Sequence, residues 1–393
     1  MVKLIDITGK ALSGEWGTDD ETGDGIPVLR TTNFTNEGVV NYNDVVTRII
    51  TKKNIEEKYL RKGDIIIEKS GGSDKFPVGR VIYFDGEDNT YLFNNFTGLL
   101  RVKDQEIWYP RYVFYSLFAN YKRGGTRRFE NKTTGLHNLK TDDYVSRYEV
   151  PEINVAEQRL ICDKLDELRE VIMLREQEVQ LLDDLIKARF VELFGDVIRN
   201  DRKWGCKQFS DITTSRLGKM LDTKHQTGIC KYPYLANFNV QWFKFELDNL
   251  NEMDFNEKDR EEFCLEDGDL LVCEGGEIGR CAVWHNQVKN CFFQKALHRV
   301  RCNQEIILPD YLAWWFKYNR DNGGFDAIEG AKATISHLTG AKMKMLDVTV
   351  PPIELQEQFV DFIHQVDKSK AAVKKALDET QLLFDSLMQK YFG

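Results

Sequence analysis

Hydrophobic and polar positions alternate along this chain in two distinct ways. Short runs rich in Val, Ile, Phe and Tyr, bounded by Gly and Asp, occur at 65–67, 80–84 and 99–102 and again at 270–272, 281–284 and 299–301, and predict strands. Segments 112–121 and 311–318 follow a Pro and predict helices. A second pattern fills the last forty or so residues of each half. Ile161, Leu165, Leu168, Ile172, Val179, Leu182, Ile186 and Leu193 recur at steps of three and four, with Arg175 and Arg189 at two seam positions. The second copy runs Phe359, Ile363, Val366, Val373, Leu377, Phe384, Leu387 and Tyr391, interrupted by Lys370 and Thr380. Such seams predict two long helices that pack on each other, charges outward. At ~1.5 Å per residue, a helix of about 38 residues spans roughly 57 Å, which suits a spacer.

These patterns occur twice because the chain is an internal repeat, with matching residues about 200 apart. Leu60-Arg61-Lys62-Gly63-Asp64-Ile65-Ile66-Ile67 leads to Gly71-Gly72 and Val78-Gly79-Arg80. Leu265-Glu266-Asp267-Gly268-Asp269-Leu270-Leu271-Val272 leads to Gly275-Gly276 and Ile278-Gly279-Arg280, with five fewer residues between. Gln105-Glu106-Ile107, Pro110 and Gly124-Gly125 recur as Gln304-Glu305-Ile306, Pro309 and Gly323-Gly324. Val150-Pro151-Glu152-Ile153 with Glu157-Gln158 recurs as Val350-Pro351-Pro352-Ile353 with Glu357-Gln358. Each half closes on Phe-Gly, at Phe194-Gly195 and Phe392-Gly393. The expected division is a mixed α/β globule over 1–150, a helix over 151–195, a second globule over 196–350 and a second helix over 351–393.

Composition narrows the class. With 393 residues, 42% hydrophobic and 30% charged, the chain is expected to be globular throughout, and its apolar runs are too short for a signal peptide or a membrane span. A cytoplasmic location is expected. Seven of the eight cysteines lie in the second half, and Cys281 and His285 have a ligand-like spacing. The repeat argues against zinc, because Cys273, Cys281, Cys291 and Cys302 match Glu68, Val81, Tyr91 and Lys103. Reduced, buried thiols and no metal are expected. A formal charge of −9 weighs against a nucleic-acid partner, although acidic residues concentrate in the two helices and in 249–269, leaving basic clusters elsewhere.

Three features resemble a known family: the Gly-Asp run ending in Gly-Arg in each half; the loops Thr133-Thr134-Gly135-Leu136-His137-Asn138-Leu139 and Thr334-Ile335-Ser336-His337-Leu338; and the Val-Pro-x-Ile lead-in to each long helix. Together, in order and twice over, they are similar to the specificity subunits of type I restriction–modification systems. The resemblance covers nearly the whole chain, although the first copy begins at Met1 without the Lys203-Trp204 lead-in of the second. It implies tandemly duplicated target-recognition domains, each reading part of a split double-stranded DNA target. The two long helices then form an antiparallel coiled coil that separates the readers and docks two methyltransferase subunits, with restriction and translocase subunits joining them. It also implies no catalytic site on this chain, with S-adenosylmethionine, ATP and Mg2+ held by partner subunits.

DNA reading needs cations for phosphates and polar side chains for base edges. The richest supply is Lys122, Arg123, Arg127, Arg128 and Lys132 around Gly124-Gly125, followed by Thr134 and His137. In the second half Arg320, Lys332, Thr334, Ser336 and His337 take the corresponding places. Lys69, Ser70 and Lys75 follow a strand end beside paired glycines. Arg80 and Arg280 suit either DNA or an internal carboxylate. No G-x-x-x-x-G-K-[ST] loop occurs, nor an Asn/Asp-Pro-Pro-aromatic motif, since Pro351-Pro352 lies between Val350 and Ile353. Two rival readings stay open: a stand-alone DNA-modifying enzyme with unfamiliar motifs, and a coiled-coil scaffold with no DNA role.

Overall fold

The computed structural model describes residues 1–133, 136–221, 228–326 and 337–393, apart from the side chains of 132, 133 and 136. It divides into two units, Met1–Glu176 with Lys374–Gly393, and Gln177–Val373. Each unit therefore holds one globule and part of each long helix, Val155–Phe194 and Ile353–Phe392.

In the first unit an antiparallel sheet runs in the order Leu12–Ser13, Thr97–Leu100, Ile65–Glu68, Val81–Tyr83. Its central strand is buried on both faces, which is why its sequence reads as an unbroken apolar run rather than an alternation. Ile65 and Ile67 join Val81, Leu100 and the helix Pro110–Lys122, whereas Ile66 joins Ile82 and Leu99 against Leu29, Phe84 and Phe93. A second sheet, Thr18–Asp19, Val46–Ile49, Ile26–Leu29 and Leu92–Phe93, closes that other side. The chain crosses between the sheets at Gly14, where a Cβ would lie 2.2 Å from the Phe93 and Asn94 carbonyl oxygens. A small third sheet pairs the hairpin Glu130–Thr133/Leu136–Leu139 with Ser70–Gly72.

The second unit repeats this plan with the sheet Thr213–Leu217, Leu297–Cys302, Leu270–Cys273, Cys281–Val283. Leu270 and Val272 pack with the helix Pro309–Asp321; Leu271 and Cys273 pack with Leu235, Trp284 and Phe293. Gly218 takes the place of Gly14, 2.3 Å from the Gln294 carbonyl oxygen by the same measure. The strand expected at 99–102 begins two residues earlier, at Thr97, and that register matches Cys302 to Val102 rather than to Lys103. All eight cysteines are free thiols, and burial pushes Cys291 and Cys302 up to about 12.

The repeated Gly-Asp motif is a buried ion pair. Asp64, 2% exposed, accepts from Arg101 Nε at 2.7 Å and from the Arg61 N–H at 2.7 Å. Asp269, 1% exposed, accepts from Arg301 Nε at 2.7 Å and from the Glu266 N–H at 2.8 Å. The lead-in to each long helix is a buried glutamine. The Gln158 side chain joins the Tyr109 N–H to the Ile107 and Ile153 carbonyls, and Gln356 joins Leu308 N–H to those of Ile306 and Pro351. Gln158 thus corresponds to Gln356 and not to Gln358, so the Val-Pro matches of the two copies are two residues out of structural register.

The seam residues pair as the periodicity requires. In the first unit Ile161, Leu165, Leu168 and Ile172 share a core with Phe384, Leu387, Met388 and Phe392. In the second, Leu182, Ile186, Phe190 and Phe194 share one with Phe359, Ile363 and Val366. Val179, Val373 and Leu377 are half-buried. The antiparallel sense is explicit in the second unit, where Asp183 meets Lys370 while Phe190 and Phe194 meet Phe359. The polar interruptions find one another: Arg175 donates to Thr380 Oγ1 and the Ala376 carbonyl, and Lys370 pairs with Asp183. Polar partners inside an apolar seam penalise every other register.

Both helices end inside the globule of the other repeat. Phe392 packs on Tyr112 with ring centroids 5.0 Å apart, and Phe194 on Tyr311 at 4.8 Å. Arg123 Nη2 donates to the Phe392 carbonyl at 2.6 Å, as Trp204 Nε1 does to Phe194 at 2.9 Å. Among the described residues no helix is long and apolar enough to cross a membrane. Phe392→Ala should cost about 3–5 kcal/mol. Although Phe392 belongs to the second repeat, amide exchange should accelerate in Pro110–Lys122 and stay unchanged in Pro309–Asp321.

Candidate nucleic-acid interface

The basic segment 122–139 separates into parts with different surroundings. Lys122 and Arg123 end the helix Pro110–Lys122 and line a cavity of about 840 Å3 with Arg111, Phe118, Arg169 and Met388. Arg123 is held there by the Phe392 carbonyl. Gly124 and Gly125, amid these cations, stop the helix. Gly124 has φ +72° and donates to the Tyr121 carbonyl, and Gly125 donates to that of Asn120. A Cβ on Gly125 would lie 2.3 Å from the Asn120 side chain, and one on Gly324 2.1 Å from Asn319.

Beyond this stop the 3-10 turn Arg127–Phe129 faces the loop between Gly72 and Val78. The Arg127 guanidinium donates to the Asp74 and Lys75 carbonyls, each at 3.3 Å, and Arg128 lies over the Phe129 ring at 4.9 Å. His137 is 5% exposed, with Nδ1 3.0 Å from Glu130 Oε2 and Nε2 3.5 Å from Asp74 Oδ1. Glu130 also accepts the Val78 N–H at 3.0 Å. His137 therefore braces the loop from behind. Lys69 Nζ reaches Ser13 Oγ at 2.9 Å, and burial, with Lys58 adding to it, lowers its pKa. Ser70 pairs with Asn138 in the small sheet, and Lys75 is exposed. Lys132 lies opposite His137 in the hairpin; its side chain and Thr134 lie outside the described residues.

Arg80 and Arg280, equally suited to DNA or to an internal partner by sequence, both turn inward. Arg80 donates to the Thr31 and Phe34 carbonyls, each at 2.9 Å, and lies 3.4 Å from Glu68. Arg280 donates to the Asn237 carbonyl at 3.0 Å and to its Oδ1 at 2.6 Å. Burial raises the pKa of Glu68, and Arg80 works against that rise. In the second unit Arg320 lies 3.8 Å from Glu277, and His337 is exposed beside Gly275. Lys332, Thr334 and Ser336 lie outside the described residues. The structure thus gathers Lys69, Ser70, Lys75, Arg127, Arg128 and His137 about one loop, and sets Lys122, Arg123 and Arg80 apart from it. Glu130, which joins His137 to the Val78 N–H, has no signal in the sequence beyond being one acid within a basic cluster.

Residues 2–183 and 201–380 each match the family described as the type I restriction modification DNA specificity domain. The chain belongs to that family. A curated relative, the putative type I restriction enzyme MjaX specificity subunit of Methanocaldococcus jannaschii, is 21% identical over 193 residues, covering 48% of this chain and 45% of that protein. The match spans less than half of the relative's length. Among solved structures, the S subunit of a type I restriction-modification system from M. genitalium matches all of this chain and 95% of its own, with TM-score 0.56 and 15% identity. A chain from a structure concerned with complex assembly and conformational transition of the type I R-M system matches with TM-score 0.58 and 15% identity, covering all of this chain and 96% of its own. At that identity the likeness is one of fold.

Both specificity domains therefore carry their shared arginine as a structural strut. Arg80→Ala and Arg280→Ala should each lower the free energy of unfolding in urea by about 1–3 kcal/mol, because buried carbonyls lose their donor. Lys75→Ala and Arg128→Ala should stay within about 0.5 kcal/mol of the parent.

Proposed function

We propose that this chain is the sequence-reading subunit of a type I restriction–modification complex, each unit contributing one half of a bipartite readout of double-stranded DNA. The observation that carries this reading is the match of the specificity-domain family to both repeats, in tandem along one chain. The loop-and-hairpin cluster of the first unit supports it, because a braced loop bearing Lys75, with Lys69, Arg127 and Arg128 beside it, suits phosphate contact from a fixed position. The chain is a targeting subunit: methyl transfer with S-adenosylmethionine, and cleavage with ATP and Mg2+, belong to partners. It acts in the cytoplasm, where those partners and the DNA are.

Two methyltransferase subunits dock on the long helices, and restriction subunits join them. Apolar side chains left in solvent there support this: Leu160, Met173, Leu174, Leu382 and Leu383 in the first unit, Leu181, Leu185 and Val191 in the second. Helix length sets the spacing of the half-sites. With a net charge of −9, tight DNA binding draws on the partner subunits as well.

Methylation mapping in a host carrying the complex tests the proposal. A split motif is expected, and replacing residues 1–150 with the equivalent segment of another specificity subunit should change one half of it. A change in both halves contradicts modular reading. Methyl transfer or cleavage by the purified chain alone contradicts the targeting role. Lys75→Ala and Arg128→Ala should each reduce the slope of log affinity against log salt by about one.

A further inference from the structure

The loop between Gly72 and Val78 is held far more firmly than a surface turn needs to be. Its ends touch, since a Cβ on Gly72 would lie 2.5 Å from the Val78 nitrogen. Inside it, the Ser73 N–H donates to the Phe76 carbonyl at 2.7 Å and the Phe76 N–H to Ser73 Oγ at 3.2 Å. Outside it, Arg127, His137 and Glu130 grip Asp74, Lys75 and Val78. What this frame presents to solvent is a phenyl ring: Phe76 is 57% exposed, with the Lys75 ammonium 5.3 Å from its centroid. A second phenyl stands at the same end of the main sheet. Phe96, 54% exposed, precedes the strand Thr97–Leu100, and its carbonyl accepts the Lys69 N–H at 2.8 Å, where the central strand ends and the loop begins.

At these two positions the second unit carries no aromatic side chain. Register equates Thr97 with Leu297 and Glu68 with Cys273, so Ala296 stands for Phe96 and Glu274 for Lys69. The loop there is four residues shorter, with Glu277 alone between Gly276 and Ile278.

An ordered loop that keeps an aromatic ring in water, with cations around it, matches a ligand whose apolar faces are flanked by anions. DNA bases between phosphates have that form, and apolar side chains that enter base steps unstack and kink the duplex. We propose that the first unit reads its half-site by deformation, with Phe76 inserted at a base step, Phe96 packed beside it, and Lys69, Lys75, Arg127 and Arg128 on the flanking phosphates. The second unit has no phenyl at either of these positions. This rests on the DNA-reading function proposed above.

The test uses the complete chain assembled with its methyltransferase subunits, on duplexes carrying its mapped target with 2-aminopurine placed successively through both half-sites. Apart from any rise at the methylated bases, which methyltransferases themselves extrude, fluorescence should rise on binding at one step of one half-site, because unstacking relieves quenching. Phe76→Ala should abolish the rise and weaken binding roughly tenfold, in keeping with the loss of one aromatic–base contact. Phe76→Trp should retain both, and unchanged melting of the variants confirms their fold. Several results overturn the wedge: a parent complex that selects its target with no rise outside the methylated bases, a Phe76-dependent rise in both half-sites, or Phe76→Ala binding as the parent does. It is likewise overturned if Phe76→Ala fails to assemble with the methyltransferase subunits yet binds DNA normally, for the ring is then a protein contact. A parent complex that selects no sequence overturns the reading function itself.

Discussion

Each globule is completed by aromatic residues from the other repeat. Phe194 seals the core around Tyr311 and Phe392 the core around Tyr112, and both lie at the end of a 40-residue helix whose partner runs the opposite way. The hydrophobic gain from these insertions is non-directional. What makes it specific is the pairing of polar seam residues, Arg175 with Thr380 and Asp183 with Lys370. The Phe-Gly that closes each half marks the place where one repeat enters the core of the other, so neither repeat is a self-sufficient folding module.

Duplication sorts the residues by role. What recurs in both copies turns out to be frame: the Asp64–Arg101 and Asp269–Arg301 pairs, the inward-turned Arg80 and Arg280, the buried Gln158 and Gln356, and the glycines that stop each short helix. At one sheet end the copies differ, where Lys69, Phe96 and a long braced loop in one unit correspond to Glu274, Ala296 and a short loop in the other. Two readers of different sequences on one frame need that distribution. In the proposed reading role, the frame carries little sequence information and the divergent rim carries the specificity.

Much of this was legible in the sequence for a physical reason. Strands buried on both faces and helices with a seam leave strong periodic patterns, and repetition doubles the signal. Tertiary partners were harder to read. Gly124-Gly125 resembles a flexible loop until Asn120 is placed against it, and the basic cluster looks continuous until the helix stop sends Lys122 and Arg123 one way and Arg127 another. The Val-Pro identity of the two lead-ins was misleading because proline there answers to local backbone, while the buried glutamine, two residues out of step, answers to the fold. Arg80 and Arg280 were balanced between DNA and protein because an arginine after a strand-start glycine has the same reach in either direction.

On the proposed function, two units on one frame each read their own half of a DNA target. Hydrogen exchange of the complex measures it directly, on the intact target and on duplexes with one half-site scrambled. Scrambling the half-site of the first unit should remove protection from 70–78 and 127–139 while leaving protection in the second unit, and scrambling the other half should do the reverse. Loss of protection in both units from either change, or protection confined to the long helices, would contradict it.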